Sequence, residues 1–148
     1  EKDLSPEIYR KLAEEVDQIC REQDRMLILN TAPAAAAQLG MRKLHLPMSI
    51  LRREGRPLDA ECVGTSIHSL EEVKEAVRLG ADYLFAGNIY ETDCKKGLPG
   101  RGLDFLSQVC MESSVPVYAI GGVNEERLPE ILSTGAAGGC MMSGFMKL

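Results

Sequence analysis

The sequence predicts an α/β fold built on a parallel sheet, and three observations lead to this class. Segments with helical periodicity alternate along the chain with short apolar runs. These runs lack the alternation of a strand with one wet face, as is typical of strands buried on both faces of a parallel sheet. Three predicted helix ends also share a glycine that leads into the next strand: Leu39-Gly40-Met41, Leu79-Gly80-Ala81 and Thr134-Gly135-Ala136. Repeated strand–helix units with short connections require right-handed crossovers and hence parallel strands.

The first half of the chain predicts two helices and two strands. Ser5 and Pro6 form a good N-cap and first-turn pair, and apolar residues then recur at helical spacing as far as Cys20. The next elements are a strand over residues 26–29, an alanine-rich helix over 32–39 that Gly40 ends, and a strand over 43–46. Residues 47–59 carry no pattern that assigns them to either class.

The second half continues the alternation. A strand lies within residues 61–67, and Ser69 and Glu72 have the spacing of a capping box at the start of a helix that Gly80 ends. The remaining elements are a strand over 82–86, a glycine- and lysine-rich loop over 91–102, a helix over 103–111, a strand over 115–120, a mostly helical segment over 124–133 and a strand over 138–142. Pro129 requires that the last helix begin late, because an interior proline costs about 3 kcal/mol. The six strands suit either an open doubly wound sheet or part of a (β/α)8 barrel.

Length and composition indicate one globular domain and exclude several partners. The 148 residues can bury a sizeable core, and 45% hydrophobic with 26% charged residues argues against disorder. The formal net charge of -5 argues against a broad nucleic-acid-binding face. No apolar run approaches the roughly 20 residues that span a bilayer. We therefore expect neither a nucleic-acid partner nor a membrane.

The cysteines indicate a reducing compartment. The sequence contains five of them, with no C-x-x-C pair, so neither a disulfide framework nor a zinc ribbon is predicted. Scattered thiols are typical of cytoplasmic proteins. Four of the five are predicted to be small apolar core residues. The fifth, Cys94, lies in the glycine- and lysine-rich loop, where we interpret it as a spectator or a packing residue.

Polar residues follow several predicted strands at the point where each strand ends. Asn30, His68 and the segment 92–96 occupy such positions, and so do Gly121-Gly122 and Ser143-Gly144. In barrels and open α/β sheets alike, the carboxyl ends of the strands carry the chemistry. Glycine turns after the last two strands predict a phosphate site, with Lys95 as a counter-charge. The alternative is that Gly121-Gly122 merely makes a tight turn.

The two histidines occupy different positions. His68 stands just past a strand and before a helix N-cap, where it is either a local hydrogen-bonding residue or a general acid–base, since an imidazole can both take and give a proton near neutrality. His45 lies between Leu44 and Leu46 inside a strand and is predicted to be structural. Neither histidine has carboxylates at ligand spacing, so no metal site is predicted.

The run from Tyr90 to Leu98, continued by Gly100-Arg101-Gly102, resembles the signature loop of TenI-type thiazole tautomerases, members of the thiamine-phosphate synthase superfamily. Matching pieces keep the family's order and spacing: E-K-D-L (1–4), L-I-L-N (27–30), S-I-H-S-L-E-E (66–72), G-A-D-Y-L-F-A-G (80–87), P-V-Y-A-I-G-G-V (116–123) and M-S-G (142–144). The resemblance covers nearly the whole chain. The glycine pieces are shared with many phosphate-binding barrels, whereas the central loop is specific.

The resemblance implies an isomerase of thiamine biosynthesis that aromatises a carboxythiazole phosphate by a proton shift, with neither metal nor cofactor. Two alternatives stay open: thiamine-phosphate synthase, which joins a thiazole phosphate to a pyrimidine diphosphate with Mg²⁺, and a catalytically weak module that binds thiazole phosphate. Synthases resemble N-D where this chain has Asn30-Thr31, and G-Q-x-D where it has residues 47–50. Mg²⁺ favours carboxylate and phosphate oxygens, so these two departures favour the isomerase.

The resemblance also assigns roles to individual residues. His68 matches the base that moves the proton. The phosphate would be held by Lys95, Gly121, Gly122, Ser143 and Gly144, and the ring or carboxylate would be oriented by Asn30 and Thr92. Residues 95–102 are predicted to act as a lid, since Gly97, Gly100 and Gly102 permit hinge motion.

The length implies a barrel that is incomplete. Barrels of this class run to roughly 200 residues or more, and E-K-D-L resembles the end of the second barrel strand. The six predicted strands would then be the third to eighth, with the first strands and the last helix missing from a single domain over residues 1–148. Two unpaired sheet edges invite pairing with another chain, so a homo-oligomer is expected.

Overall fold

The computed structural model describes residues 4–31, 33–92, 97–142 and 144–147. Helices and strands alternate through these residues as predicted. The helices are α1 (Pro6–Glu22), α2 (Pro33–Gln38), α3 (Met48–Glu54), α4 (Leu70–Arg78), α5 (Gly102–Glu112) and α6 (Leu128–Ser133). The strands are β1 (Leu29–Asn30), β2 (Lys43–Pro47), β3 (Cys62–Ile67), β4 (Tyr83–Gly87), β5 (Val117–Ile120) and β6 (Gly138–Cys140). Short 3-10 turns cover Glu125–Arg127 and Phe145–Lys147.

The six strands form one sheet in the order β1-β2-β3-β4-β5-β6, and every pair is parallel. A doubly wound sheet reverses its strand order at a switch point, whereas a barrel adds each strand beside the previous one. The sequential order therefore resolves the alternative that periodicity left open. The molecule is part of a (β/α) barrel, and the prediction of six parallel strands in an incomplete barrel is confirmed.

The core lies between the sheet and its helices. On the helix side of the sheet, side chains such as Leu46, Val63 and Leu84 are at most 1% exposed, and they meet the apolar faces of α3 to α6. Helix starts follow their local signals: the Ser5 hydroxyl accepts from the N–H of Ile8, and Pro129 falls in the first turn of α6. The late start required by that proline is thus confirmed.

The opposite side of the sheet, here called the inner face, carries His45, Ser66, Tyr83, Phe85 and Tyr118. These residues belong to neighbouring strands whose registers bring them side by side. The ring centroids of His45 and Phe85 are 4.4 Å apart, and Tyr83 meets Tyr118 edge to face at 6.0 Å. The inner face is therefore a cluster of rings beneath the carboxyl edge of the sheet.

The strand predicted over residues 138–142 ends at Cys140. Two further segments differ from what the sequence predicted, for physical reasons. The strand predicted over residues 26–29 forms only at Leu29–Asn30, because β1 has a single neighbour, β2, and Met26 is exposed. The unassigned segment 47–59 contains α3, which starts directly after β2 with Pro47 at the N-cap and no side-chain cap. A helix that lacks the usual capping residue gives no start signal in the sequence.

The longest helix among the described residues, α1, has 17 residues and an amphipathic pattern. Within the described ranges, no helix is long and apolar enough to cross a membrane.

Candidate active site

A cavity of about 360 Å³ opens at the carboxyl edge of the sheet, where β3, β4, β5 and β6 end. Its polar wall is formed by Ser66, His68, Asn88, Thr92, Gly121 and Gly122. Its apolar wall is formed by Ile120, Val123, Cys140, Met141 and Met142. This volume lies at the lower end of the range for small-molecule sites, and such sites combine an apolar body with a few fixed polar groups.

His68 is held at the cavity by two hydrogen bonds of different kinds. Its backbone N–H donates to Glu72 Oε2 at 2.7 Å, while Ser69 caps α4 by accepting from the N–H of Glu72. Its ring Nδ1 lies 2.8 Å from the carbonyl oxygen of Gly87. Because a carbonyl only accepts, Nδ1 carries the proton, and in the neutral ring the lone pair is on Nε2. Nε2 is therefore the basic atom of this residue.

An ion-pair network steadies the carboxylate that holds the His68 backbone. Arg52 Nη2 lies 3.1 Å from Glu72 Oε1 and 2.6 Å from Glu75 Oε2. Hydrogen bonding to Glu75 raises the pKa of Arg52 above its ordinary value, so the guanidinium stays charged. The capping box predicted at Ser69 and Glu72 is present in part, because Glu72 reaches the N–H of His68 rather than that of Ser69.

The Gly121-Gly122 loop fits closely against the loop that follows β4. Gly121 and Gly122 have φ values of 93° and 65°. A Cβ on Gly122 would lie 2.5 Å from the carbonyl oxygen of Glu91 and 2.7 Å from Tyr90 Cβ. Both the backbone conformation and the close approach therefore require glycine. The alternative interpretation of Gly121-Gly122 as only a tight turn does not account for this contact with the loop that follows β4.

Backbone donors of the glycine loop are available to a ligand. Two backbone hydrogen bonds join this loop to the loop that follows β4. The N–H of Ile89 donates to the carbonyl oxygen of Ile120 at 2.9 Å, and the N–H of Tyr90 donates to that of Gly121 at 3.0 Å. Among the described residues, no hydrogen bond uses the N–H of Gly122 or of Val123. N–H groups in such a loop can donate to phosphate oxygens.

The structure brings together four of the residues predicted from sequence: His68, Thr92, Gly121 and Gly122 line one cavity. It does not bring Asn30 there, because Asn30 ends the edge strand β1 and its Oδ1 accepts from the hydroxyl of Thr31. Gly144 is described but does not line the cavity, although Met141 lies beside it. Lys95 and Ser143, together with Cys94 and part of the predicted lid, lie outside the described residues.

Sequence reasoning missed Ser66, which lines the cavity and belongs to the inner face. Its Oγ lies 2.9 Å from His45 Nε2, and His45 Nδ1 lies 3.1 Å from the hydroxyl of Tyr83. Burial lowers the pKa of His45 to about 4, so the ring is neutral at physiological pH. Its buried position within β2 agrees with the structural role predicted for it. The available signal was strand geometry: successive side chains of β3 point to opposite faces of the sheet, which places Ser66 on the face opposite the buried Thr65.

Asn88 and the sulfur-bearing residues after β6 were also missed. Asn88 follows Gly87 at the end of β4, and its Nδ2 donates to the carbonyl oxygen of Tyr90 at 3.2 Å. Burial raises the pKa of Cys140 to about 11, so its thiol is protonated at neutral pH. The positions after strand ends could have drawn attention to Asn88, whereas Met141 and Met142 resemble ordinary apolar filler.

Among the described residues, the donors at this edge of the sheet do not fit the Mg²⁺ that the synthase resemblance implies. The described residues that line the cavity include neither Asp nor Glu. Across the described ranges, no group of three or more His, Cys, Asp or Glu could hold a metal ion. At the two positions that differ from the synthase pattern, Thr31 donates to Asn30 and Ile50 packs against the core.

The sequential parallel sheet, with a cavity at its carboxyl edge between a histidine and a glycine loop, defines a protein of the (β/α)-barrel class. A family model described as thiamine monophosphate synthase (TMP-TENI) matches residues 1–145, and the chain belongs to this family.

Two relatives of this chain share the name of one enzyme. The thiamine-phosphate synthase of Pyrococcus abyssi is 34% identical over 137 residues, which cover 93% of this chain and 64% of that protein. The thiamine-phosphate synthase of Syntrophomonas wolfei is 33% identical over 156 residues, which cover 99% of this chain and 72% of that protein. The chain thus spans about two thirds of the length of these relatives.

A solved structure supports the same relationship. Thiamine phosphate pyrophosphorylase from Pyrococcus furiosus superposes with a TM-score of 0.82 at 27% sequence identity, covering 100% of this chain and 72% of that one. These relatives are named as synthases and not as tautomerases. Of the readings held open from the sequence, the comparisons therefore favour the synthase alternative over the isomerase.

Proposed function

We propose that this chain takes part in the thiamine-phosphate synthase reaction, in which a thiazole phosphate is joined to a pyrimidine diphosphate. The observation that carries the proposal is the identity of 33% and 34% to proteins named thiamine-phosphate synthase, spread over 99% and 93% of the chain. The cavity supports it because its walls come from the strands and loops that this match covers.

The glycine loop is the proposed phosphate site. Gly122 and Val123 offer N–H groups that have no hydrogen-bond partner among the described residues, and the loop is fixed against Tyr90 and Glu91 by contacts too close for a side chain. A fixed donor binds an anion more strongly than a mobile one, because less ordering is required on binding. The apolar wall around Val123 and Met141 would hold the heteroaromatic ring.

A second candidate is the isomerase, and the tautomer of His68 favours it. With Nδ1–H donated to Gly87, Nε2 can remove a ring proton and return it to an exocyclic carbon without help from a second residue. One base on one cavity wall satisfies that reaction. The synthase, by contrast, must also accommodate a diphosphate leaving group.

The test is to supply the purified chain with each substrate set. Thiazole phosphate and pyrimidine diphosphate are incubated with and without Mg²⁺, and thiamine phosphate is followed by chromatography. Carboxythiazole phosphate is incubated separately in D₂O, and proton exchange is followed by NMR. We expect thiamine phosphate to form. Isomerisation alone would replace this proposal by the second candidate, and tight thiazole phosphate binding with neither reaction would indicate a binding module.

Substitution of His68 distinguishes the role of its ring from general damage. In the isomerase reaction, His68→Ala should lower turnover by about 10²–10⁴-fold, the usual contribution of a general acid–base, while thiazole phosphate still binds. Lys74→Ala is the control, since Lys74 is exposed on α4, the helix that follows His68, and pairs with Glu112 away from the cavity. Unchanged turnover in His68→Ala would remove His68 from the mechanism.

A further inference from the structure

Arg127 lies just behind the glycine loop and makes two contacts with it and its neighbour. It is the last residue of the 3-10 turn Glu125–Arg127, where Asn124 Oδ1 accepts from its backbone N–H at 2.9 Å. Its Nη1 donates to the carbonyl oxygen of Gly122. Its guanidinium carbon lies 4.2 Å from the centroid of the Tyr90 ring. One side chain therefore joins the loops that follow β4 and β5.

Tyr90 is itself fixed in place. Its hydroxyl donates to Glu130 Oε1 at 2.5 Å, and its backbone N–H donates to Gly121. Burial and the hydrogen bond to Glu130 raise the pKa of Tyr90 to about 12, so the hydroxyl remains a donor. The ring is thus held from both ends, and it offers the guanidinium a face of fixed orientation.

The contact between Arg127 and the carbonyl oxygen of Gly122 also determines the direction of the next N–H, that of Val123. In a trans peptide, the carbonyl oxygen of one residue and the N–H of the next point in opposite directions. Because the oxygen of Gly122 points to Arg127, the N–H of Val123 points away from it. Gly122 and Val123 both line the cavity, and Arg127 does not.

We propose that Arg127, stacked on Tyr90, is a positioning residue that sets the Gly122–Val123 peptide so that the N–H of Val123 faces a bound phosphate. This inference rests on the proposed phosphate site. Arg127 acts through the backbone and does not touch the ligand. A planar guanidinium suits this role because it can stack on a ring and donate in its own plane at the same time.

The test separates the phosphate-dependent part of affinity from the rest. Calorimetry gives the Kd of thiazole phosphate and of the matching thiazole alcohol, which lacks the phosphate, for each variant. In Arg127→Met the ratio of the two Kd values should move toward one by about tenfold, as expected for loss of one charge-assisted hydrogen bond. A merely structural role would weaken both ligands equally and leave the ratio unchanged.

A matched control is available at the other end of the sheet. Arg56 Nη1 donates to the carbonyl oxygen of Gly80 at 2.6 Å, so it also holds a loop carbonyl, far from the cavity. Arg56→Met should leave the ratio of Kd values at its wild-type value. Any change comparable to that of Arg127→Met would overturn the assignment.

A second pair of variants tests the ring without altering charge. Tyr90→Leu removes the stacking face and should reproduce the change in the ratio of Kd values that is expected for Arg127→Met. Tyr90→Phe keeps the face, so its ratio should stay close to that of the wild type. If Arg127→Met does not fold, Arg127→Lys and the Tyr90 pair carry the test. An unchanged ratio in Tyr90→Leu overturns the proposal. Wild-type protein that binds both thiazoles equally instead removes the phosphate site itself.

Discussion

Replacement of Gly122 by alanine is expected to distort the cavity, whereas the same replacement at Gly40, which has a similar backbone conformation, is not. Gly122 has φ 65° and Gly40, at the end of α2, has φ 64°. A Cβ on Gly40 meets nothing within 4 Å, whereas a Cβ on Gly122 lies 2.5 Å from Glu91 oxygen and 2.7 Å from Tyr90 Cβ. The two variants share the same backbone strain, and only Gly122→Ala adds steric overlap.

The magnitudes follow from these two contributions. A left-handed backbone costs a non-glycine residue about 1–2 kcal/mol, so Gly40→Ala should lower the free energy of unfolding by that amount. Overpacking adds about 1–3 kcal/mol, which brings the expected loss for Gly122→Ala to about 2–5 kcal/mol. Part of the strain is relieved if the loop moves, and that movement displaces the N–H groups that we assign to phosphate.

Urea denaturation measures the two stabilities, and calorimetry with thiazole phosphate measures the affinity. We expect Gly122→Ala to bind at least about tenfold more weakly, the equivalent of one displaced hydrogen bond to a charged group. Gly40→Ala should bind as wild type does. Equal losses of stability in the two variants, with affinity unchanged in both, would refute the inferred close fit of the glycine loop.

Two further predictions concern stability alone. Because the pKa of His45 is about 4 in the folded protein and near 6.5 in the unfolded chain, its contribution is present above pH 6.5 and lost as pH falls toward 4. The loss is about 3 kcal/mol, and urea titrations at several pH values should show this slope in wild type but not in His45→Asn. Ile131→Ala should cost about 2–5 kcal/mol, because Ile131 is 0% exposed, whereas Leu132→Ala beside it should change the urea midpoint little.

The helix boundaries near the site could be predicted because their signals are local. Ser69 caps α4 through its own hydroxyl, and Gly80 follows the end of the same helix with φ 87°. His68 was placed between strand and helix from these neighbours alone. Each of these features depends on residues within one or two turns, which is the range that a sequence pattern can report.

The parts that could not be predicted depend on contacts between distant segments. Whether six strands form an open sheet or part of a barrel is decided by their order, which no single segment encodes. Strand β1 is short because it pairs on one side only, and α3 begins without a capping side chain. In both places the tertiary structure overrides or replaces the local signal.

Within the site, too, local signals could be predicted from the sequence, whereas contacts between distant segments could not. Positions after strand ends identified His68, Thr92 and the two glycines, since parallel strands place these ends at one edge. Asn30 satisfied the same rule but lies on the edge strand, outside the cavity. The rule locates an edge of the sheet, and strand position within the sheet then decides which residues share a cavity.

The end of β4 connects the two halves of the site. The oxygen of Gly87 accepts from the ring of His68, and the next residue, Asn88, packs so closely on Gly121 that a Cβ there would lie 2.5 Å from Asn88 Cβ. One dipeptide thus sets both the tautomer of the histidine and the position of the glycine loop. Arg127 supports only the position of the glycine loop. A change at residues 87–88 should therefore alter proton transfer and phosphate binding together, whereas a change at Arg127 should separate them.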